Sequence, residues 1–365
     1  MLFLGHLSSP ASGCSFLVSN YNLTAQHGPD VVRLANWWQR WRGPDATNVA
    51  YAHGWAFLHN LLSMTGTFTP QPFVSDDGRT IALFNGEIYN YRRLAKALTG
   101  SSDSFGSDGH VLLPAYAKWG EEFLKNLHGE FAIVLVDFAT QRVILSTDAF
   151  STKPLWYASW VDHGAPRFLA ASYESALTSL GAPRHARRMA EPNQAVVLSF
   201  GPGRDHARSF RATHRFPLVT WDLRQHKDTT DDFISALRRA VAVRTRETKH
   251  RAFIGLSSGY DSGAIMLALH LQEAPFLACG VRGHENSGVL HEREQFCART
   301  AEVRHTHSIY LYIHTYIHTY MYTHIYIHIY LSICICIYIY RSGSREREKE
   351  PERQREIYIG IHIHI

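Results

Sequence analysis

Beyond residue 304 the sequence changes alphabet, and that change decides how much of it can fold. From Ser308 to Tyr340 it is written almost entirely in Ile, Tyr, His, Thr and Cys. Alternating TATACA-type triplets encode such residues. The following RSGSREREKEPERQRE is what an AGAG-type repeat encodes, and IYIGIHIHI returns to the first kind. Ten of the 18 Tyr, 8 of the 23 His and 2 of the 5 Cys lie beyond residue 304, so whole-protein counts mislead. Strict alternation of Ile with Tyr or His also reads as a strand with one wet face, or as an aggregation-prone segment. A His-rich tract can bind metal loosely, and Arg345 to Lys349 can form a solvated helix. We read residues 305–365 as a translated simple-sequence repeat without an evolved role. Compositional bias alone specifies neither a packed core nor a fixed ligand geometry.

The core must therefore come from the preceding three hundred residues, enough for about two domains. Hydrophobic residues are 45% and charged residues 19% of the total, which excludes a disordered or collagen-like protein. Lys and Arg number 37 against 32 Asp and Glu, and the resulting +5 is too mild and too scattered for a nucleic-acid partner. The cysteines before the tail are not closely paired, which excludes a disulfide scaffold and any zinc-ribbon spacing. No purely apolar run reaches the roughly eighteen residues of a membrane span. MLFLGHLSSPASG lacks the basic start of a secretory leader. A cytoplasmic, reducing compartment is the expectation.

Short β-branched runs bounded by Gly, Asp or Asn predict strands at IALFNGEIYN, EFAIVLVDF, RVILSTDAF, PRFLAASYES and QAVVLSF. Val111, Leu112, Ala115, Tyr116, Trp119, Phe123 and Leu127 recur at helical spacing and predict one buried helical stripe. The polar stretch from Gly201 to Lys227 reads as a linker or edge ribbon. After it, Thr229 or Thr230 can cap a helix whose face carries Phe233, Ile234, Leu237 and Val241. AFIGL, SSGYDSG, AIMLALHL and FLACGV follow as strand, loop, helix and strand, a βαβ unit that implies a parallel sheet.

Asn85-Gly86-Glu87-Ile88-Tyr89-Asn90 is the most specific string. Taken alone, Asn85-Gly86 reads as a hairpin turn, and Arg42-Gly43-Pro44-Asp45 as a structural loop. Together with Gly106-Ser107-Asp108, LHGEFAIVLVD and STDAFSTKPLWY, these strings resemble the class II glutamine amidotransferase domain of asparagine synthetases over residues 14–200. The resemblance implies an αββα sandwich of the N-terminal-nucleophile hydrolase type for residues 14–205. It implies a thiol nucleophile whose own α-amine is the base, with Asn85 and Gly86 as oxyanion donors. Glu87 and Asp108 match the carboxylates that hold the α-ammonium of glutamine, and Arg42 is assigned to glutamine binding.

The family begins at its cysteine, whereas this protein begins Met1-Leu2-Phe3. Cys14 precedes Arg42 by 28 positions, close to the family spacing. Removal of residues 1–13, or a later start, would give Cys14 a free α-amine; the other reading is a small buried cysteine without reactivity. Leu61 stands where the family's H-x-R-L segment has the arginine that clamps the carboxylate. Either another cation such as Arg42 or Arg92 takes that task, or free glutamine binds poorly.

With residues 206–227 as linker, 228–304 are expected to form a truncated parallel-sheet domain of the ATP-pyrophosphatase type. Leu256-Ser257-Ser258-Gly259-Tyr260-Asp261-Ser262 resembles the family's pyrophosphate loop at a helix N-terminus. Asp261 could assist Mg2+, and Ser258 replaces a family glycine. No residue set is assigned to a metal. Glutamine, aspartate and ATP are the implied small-molecule substrates, and a homodimer stays open as the assembly. The family's later S-x-x-G-x-D-E segment is missing, so aspartate adenylation is expected to fail. Two rival readings remain: an ammonia-using synthetase with a silent glutaminase, as in β-lactam synthetase relatives, and a non-catalytic amidotransferase-like remnant.

Overall fold

Alternation along the strands decides the layering. The structure, a computed structural model, describes residues 4–5, 13–201, 210–224, 228–246, 252–282, 286–304 and 308–312. The first strand, β1, is Leu4–Gly5. The next elements in sequence order are β2 Ser15–Ser19, α1 Leu23–Asn36, β3 Ala46–Ala52, β4 Trp55–Leu61, β5 Phe73–Val74 and β6 Thr80–Ile88. Then come α2 Tyr91–Thr99, α3 Leu112–Trp119, β7 Gly129–Asp137, β8 Arg142–Thr147, β9 Trp156–Asp162, β10 Ala165–Ala171 and α4 Glu174–Ser179. Strands β11 Arg187–Met189, β12 Gln194–Ser199 and β13 Arg211–Pro217 complete the larger part of the fold.

One sheet has the order β11-β9-β10-β2-β4-β3 and the other β13-β12-β8-β7-β6-β5, with antiparallel pairing throughout. In β6, Ile81 and Leu83 point between the sheets toward Phe16, Val18 and Phe57, while Ala82 and Phe84 face the layer of α2 and α3. In β2, Leu17 faces the other way, toward Leu23, Ala176 and Leu177 of α1 and α4. A period of two thus gives each sheet two buried faces and yields the αββα stacking.

The predicted helical stripe is interrupted. Val111, Leu112, Ala115, Phe123 and Leu127 are buried and Tyr116 and Trp119 half-buried, but α3 ends at Trp119, Gly120 turns with φ +57, and a 3-10 segment covers Gly120–Asn126. Helical spacing cannot register one left-handed residue.

The remaining elements are α5 Asp231–Thr245, β14 Ala252–Leu256, α6 Tyr260–Leu271, β15 Phe276–Arg282, α7 Ser287–Arg304 and β16 Ser308–Tyr312. Strands β14, β15 and β16 run parallel, and β1 pairs antiparallel to the edge of β14. Thr230 occupies the N-cap of α5 without a capping hydrogen bond from its side chain. The predicted face of α5 is only half right: Val241 is buried, whereas Phe233 is 71% exposed and Ile234 is 42% exposed. The first residues of the repetitive tail, 308–312, do pair as a strand; residues 313–365 lie outside the described residues, as do 6–12. No helix among the described residues is long and apolar enough to cross a membrane.

Candidate active site

Cys14 immediately precedes β2, and a buried polar network fixes where it emerges. Ser15 donates its hydroxyl to the Gln39 carbonyl at 2.7 Å and accepts from Asn60 Nδ2 at 2.9 Å. Asn60 also exchanges side-chain hydrogen bonds with Asn36, at 2.8 and 3.1 Å. Asp45 of the Arg-Gly-Pro-Asp string donates its N–H to the Leu61 carbonyl and accepts from the Ser63 N–H, at 3.0 and 2.7 Å. A side chain at Gly43 would collide with the Asn60 carbonyl, so that string is a close-packed clamp on the end of β4. The clamp leaves the Leu62 N–H donating to Cys14 Sγ at 3.3 Å.

Asn85 and Gly86 do not form a hairpin turn. They lie within β6, paired with Ala132 and Phe131 of β7. Gly86 has φ +148, and a Cβ there would strike the Glu130 carbonyl, so glycine is required. Asn85 is fully buried, and neither atom of its amide has a hydrogen-bond partner. The position a Cβ on Gly13 would take is 2.9 Å from Asn85 Oδ1, which sets the residue before Cys14 against that amide.

One cleft is lined by Cys14, Gly86, Glu87 and Asp108 together with Leu61, Leu62, Ser63, Thr65, Thr67 and Thr69. Asp108 Oδ2 accepts from the Ile88 N–H at 2.8 Å, which anchors it beside Glu87. Burial pushes the Asp108 carboxyl up to about 6, against hydrogen bonds from the backbone of Ile88 and Gly109 and from Ser107. Burial, and then the Asp108 charge, raise Glu87 well above the usual carboxylate range; a Thr65 hydrogen bond and Lys153 oppose this. Two desolvated acids facing one cleft make a site that favours a cation. Burial also pushes the Cys14 thiol up to about 12, opposed by the Leu62 N–H and assisted by Glu87 and Asp108. With Gly13 attached, Cys14 is a protonated thiol at neutral pH.

Arg42, assigned by resemblance to glutamine binding, is placed against the backbone of Cys14. Its Nε donates to the Cys14 carbonyl at 3.1 Å and its NH1 to the Tyr173 hydroxyl at 3.1 Å, outside the cleft lining. Arg92 pairs with Asp103 at the surface. Sequence reasoning missed a second charged group beside the cleft. Glu130 of β7 meets Lys153 Nζ at 3.4 Å and Arg244 Nε of α5 at 3.0 Å. Asp148 arranges the turn that presents Lys153, accepting from the N–H groups of Phe131, Phe150 and Thr152 at 3.0, 2.9 and 3.1 Å. The one available hint was that STDAFSTKPLWY holds a single aspartate and a single lysine as its only charged residues.

The second loop lies between β14 and α6. Leu256 ends β14 and is buried; Gly259 is the N-cap of α6, and Asp261 sits in its first turn. Ser257 and Ser262 hydroxyls are 2.9 Å apart, and the Asn286 N–H donates to Ser258 Oγ at 3.2 Å. Arg293 of α7 donates to the carbonyls of Ser257 and Gly259, the latter at 2.8 Å. Such a loop with a cation across it suits a phosphate. No group of three or more His, Cys, Asp or Glu side chains arranged to hold a metal occurs among the described residues.

Residues 14–233 match the family described as a glutamine amidotransferase domain. Among curated proteins, the chain is similar to the glutamine-hydrolyzing asparagine synthetase of Sandersonia aurantiaca, at 36% identity over 121 residues, or 33% of this chain and 23% of that one. It matches glutamine-hydrolyzing asparagine synthetase 2 of Arabidopsis thaliana at 29% over 241 residues, 64% of this chain and 39% of that one. The corresponding figures for glutamine-hydrolyzing asparagine synthetase 2 of Bacillus subtilis are 33% over 118 residues, 32% and 16%. The chain thus spans between 16% and 39% of the length of these relatives. A solved glutamine aminotransferase class-II domain protein from Silicibacter pomeroyi aligns with 55% of this chain and 99% of that one, at 13% identity and a TM-score of 0.26.

Proposed function

Because this chain belongs to the glutamine amidotransferase domain family, we propose that residues 14–205 hydrolyse the side-chain amide of a glutamine-type substrate. The observation that carries the reading is the single cleft shared by Cys14, Gly86, Glu87 and Asp108, with the unpaired Asn85 amide beside Gly13. Leaving the buried Nδ2 donor unpaired costs about 1–3 kcal/mol, a penalty that an oxyanion accepting from Nδ2 would relieve.

In this mechanism the leader is removed and the Cys14 α-amine takes the thiol proton. The sulfur adds to the amide carbon, and Asn85 Nδ2 with the Gly86 N–H donate to the developing oxyanion. The amine returns the proton to the leaving ammonia, and water hydrolyses the thioester. Glu87 and Asp108 hold the substrate ammonium, which restores their ionisation. In the relatives' scheme the ammonia would then serve an ATP-dependent amidation of aspartate. For residues 228–304, the loop at 257–262 and Arg293 support a phosphate-binding role, in which Asp261 would be the residue to hold Mg2+ and the ion would supply neutralisation of phosphate charge.

The test is release of ammonia and glutamate by the protein whose first residue is Cys14. Activity is expected there, and is expected to be lost both in Cys14→Ala and in preparations that retain Met1. Active material with an intact Met1 would defeat the proposal. Leu61 favours a second reading, a silent glutaminase, in which the processed protein folds and turns over no amide.

A further inference from the structure

We infer that the cleft takes a glutaminyl residue whose α-ammonium is free and whose α-carboxyl is masked, as at the N-terminus of a peptide, in preference to free glutamine. This rests on the amidase reading above and adds the substrate class.

The ammonium end is well provided for. Asp108 is only 5% exposed, and it faces the same cleft as Glu87. The carboxylate end is not. Leu61 is 6% exposed and contributes to the lining, with Leu62 beside it. Among the described lining residues there is no Lys or Arg. The nearby cations are engaged elsewhere. Lys153 lies against Glu130 and beside Gly13, at the amide end of the site. Arg42 is held on the Cys14 carbonyl and the Tyr173 hydroxyl.

A free α-carboxylate would therefore be desolvated against leucine, near two acids, without the bidentate donor that recognises it. A peptide bond at the same place is neutral. Ser63, Thr65, Thr67 and Thr69 line the same cleft, and although Thr65 bonds to Glu87 and Thr67 and Thr69 donate to the Gly106 and Thr67 carbonyls, hydroxyl oxygens there can still accept from a peptide N–H. The reaction is unchanged: the bond between the amide carbon and its nitrogen breaks, ammonia leaves, water supplies the new carboxyl oxygen, and the peptide bond beyond stays intact. The product is a glutamyl peptide.

The experiment compares L-glutamine with L-glutaminyl-glycine, using the processed full-length protein. Product is identified by mass as glutamyl-glycine, which separates it from the spontaneously cyclised pyroglutamyl form. The expected kcat/KM for the dipeptide exceeds that for glutamine by about tenfold or more, and Leu61→Arg is expected to shift the ratio toward glutamine by a similar factor. Equal or better use of free glutamine, or a ratio that Leu61→Arg leaves unmoved, overturns the specificity while the amidase stands. Deamidation of neither compound overturns the amidase reading instead. Calorimetric titration of both compounds into the protein that begins at residue 14 and carries Cys14→Ala then decides the ligand class: tighter binding of the dipeptide sustains it, and tighter or equal binding of glutamine, or no binding, overturns it. Should Leu61→Arg fail to fold, the wild-type ratio and the titration carry the test.

Discussion

Asn85 and Asp108 are polar side chains whose burial packing alone does not explain. Asn85 is buried with both ends of its amide unpaired. If that amide waits for an oxyanion, Asn85→Ala should lower kcat by about 10²–10³-fold with little change in KM, measured by ammonia release. Asp108 gives a pH prediction of definite sign. Its folded value, about 6, lies above the unfolded carboxyl range, so protonation favours the folded form. The stabilisation is fully present below the unfolded value and is lost as pH rises through about 6. Glu87, raised by the same burial, acts in the same direction. Buried His59, held down to about 4 by loss of water, acts the opposite way, so the check is differential: in calorimetry the ligand-free protein should gain stability relative to Asp108→Asn as pH falls from 7 to 5.

At the level of the strands, β6 carries the site and β7 holds it in place. Gly86 is paired with Phe131 at φ +148, where any Cβ meets the Glu130 carbonyl. Gly86→Ala should cost about 3 kcal/mol or more, because backbone rather than a flexible side chain must give way. That corresponds to a fall in Tm of about 6–12 °C for a domain of this size. The strands were readable in advance because a two-residue period shows in IALFNGEI and EFAIVLVD without any partner. The helix expected across Val111–Leu127 was not, because the turn at Gly120 depends on how Phe123 and Leu124 reach their cluster. Asn85-Gly86 misleads in the same way when read alone. The pair suits a hairpin turn, and its place inside a strand follows from β7 lying alongside.

Across the whole molecule, Glu130 joins the site to α5. Its carboxylate is held below the usual range by Lys153 and Arg244 despite its burial, and Arg244 also lies over the Tyr89 ring, 5.0 Å from its centroid. Arg244→Ala should raise hydrogen exchange in α5 while leaving β6 and β7 protected, as read by mass spectrometry. Uniform loss of protection would show that the link also supports the sandwich. Nothing in the local sequence announced this link, since Glu130 and Arg244 are 114 positions apart.

Residue order alone showed the two-faced strands, because a period of two acts over a few neighbouring residues, and the strings that carry Asn85, Gly86, Glu87 and Asp108 were legible through their resemblance to the amidotransferase family. Folding in three dimensions placed Leu61 in the lining of the cleft, set Arg42 on the Cys14 carbonyl and left the Asn85 amide unpaired. It also raised the Cys14 thiol and the two acids together. Loss of water drives those shifts, and how much water a side chain loses is set by every element packed around it.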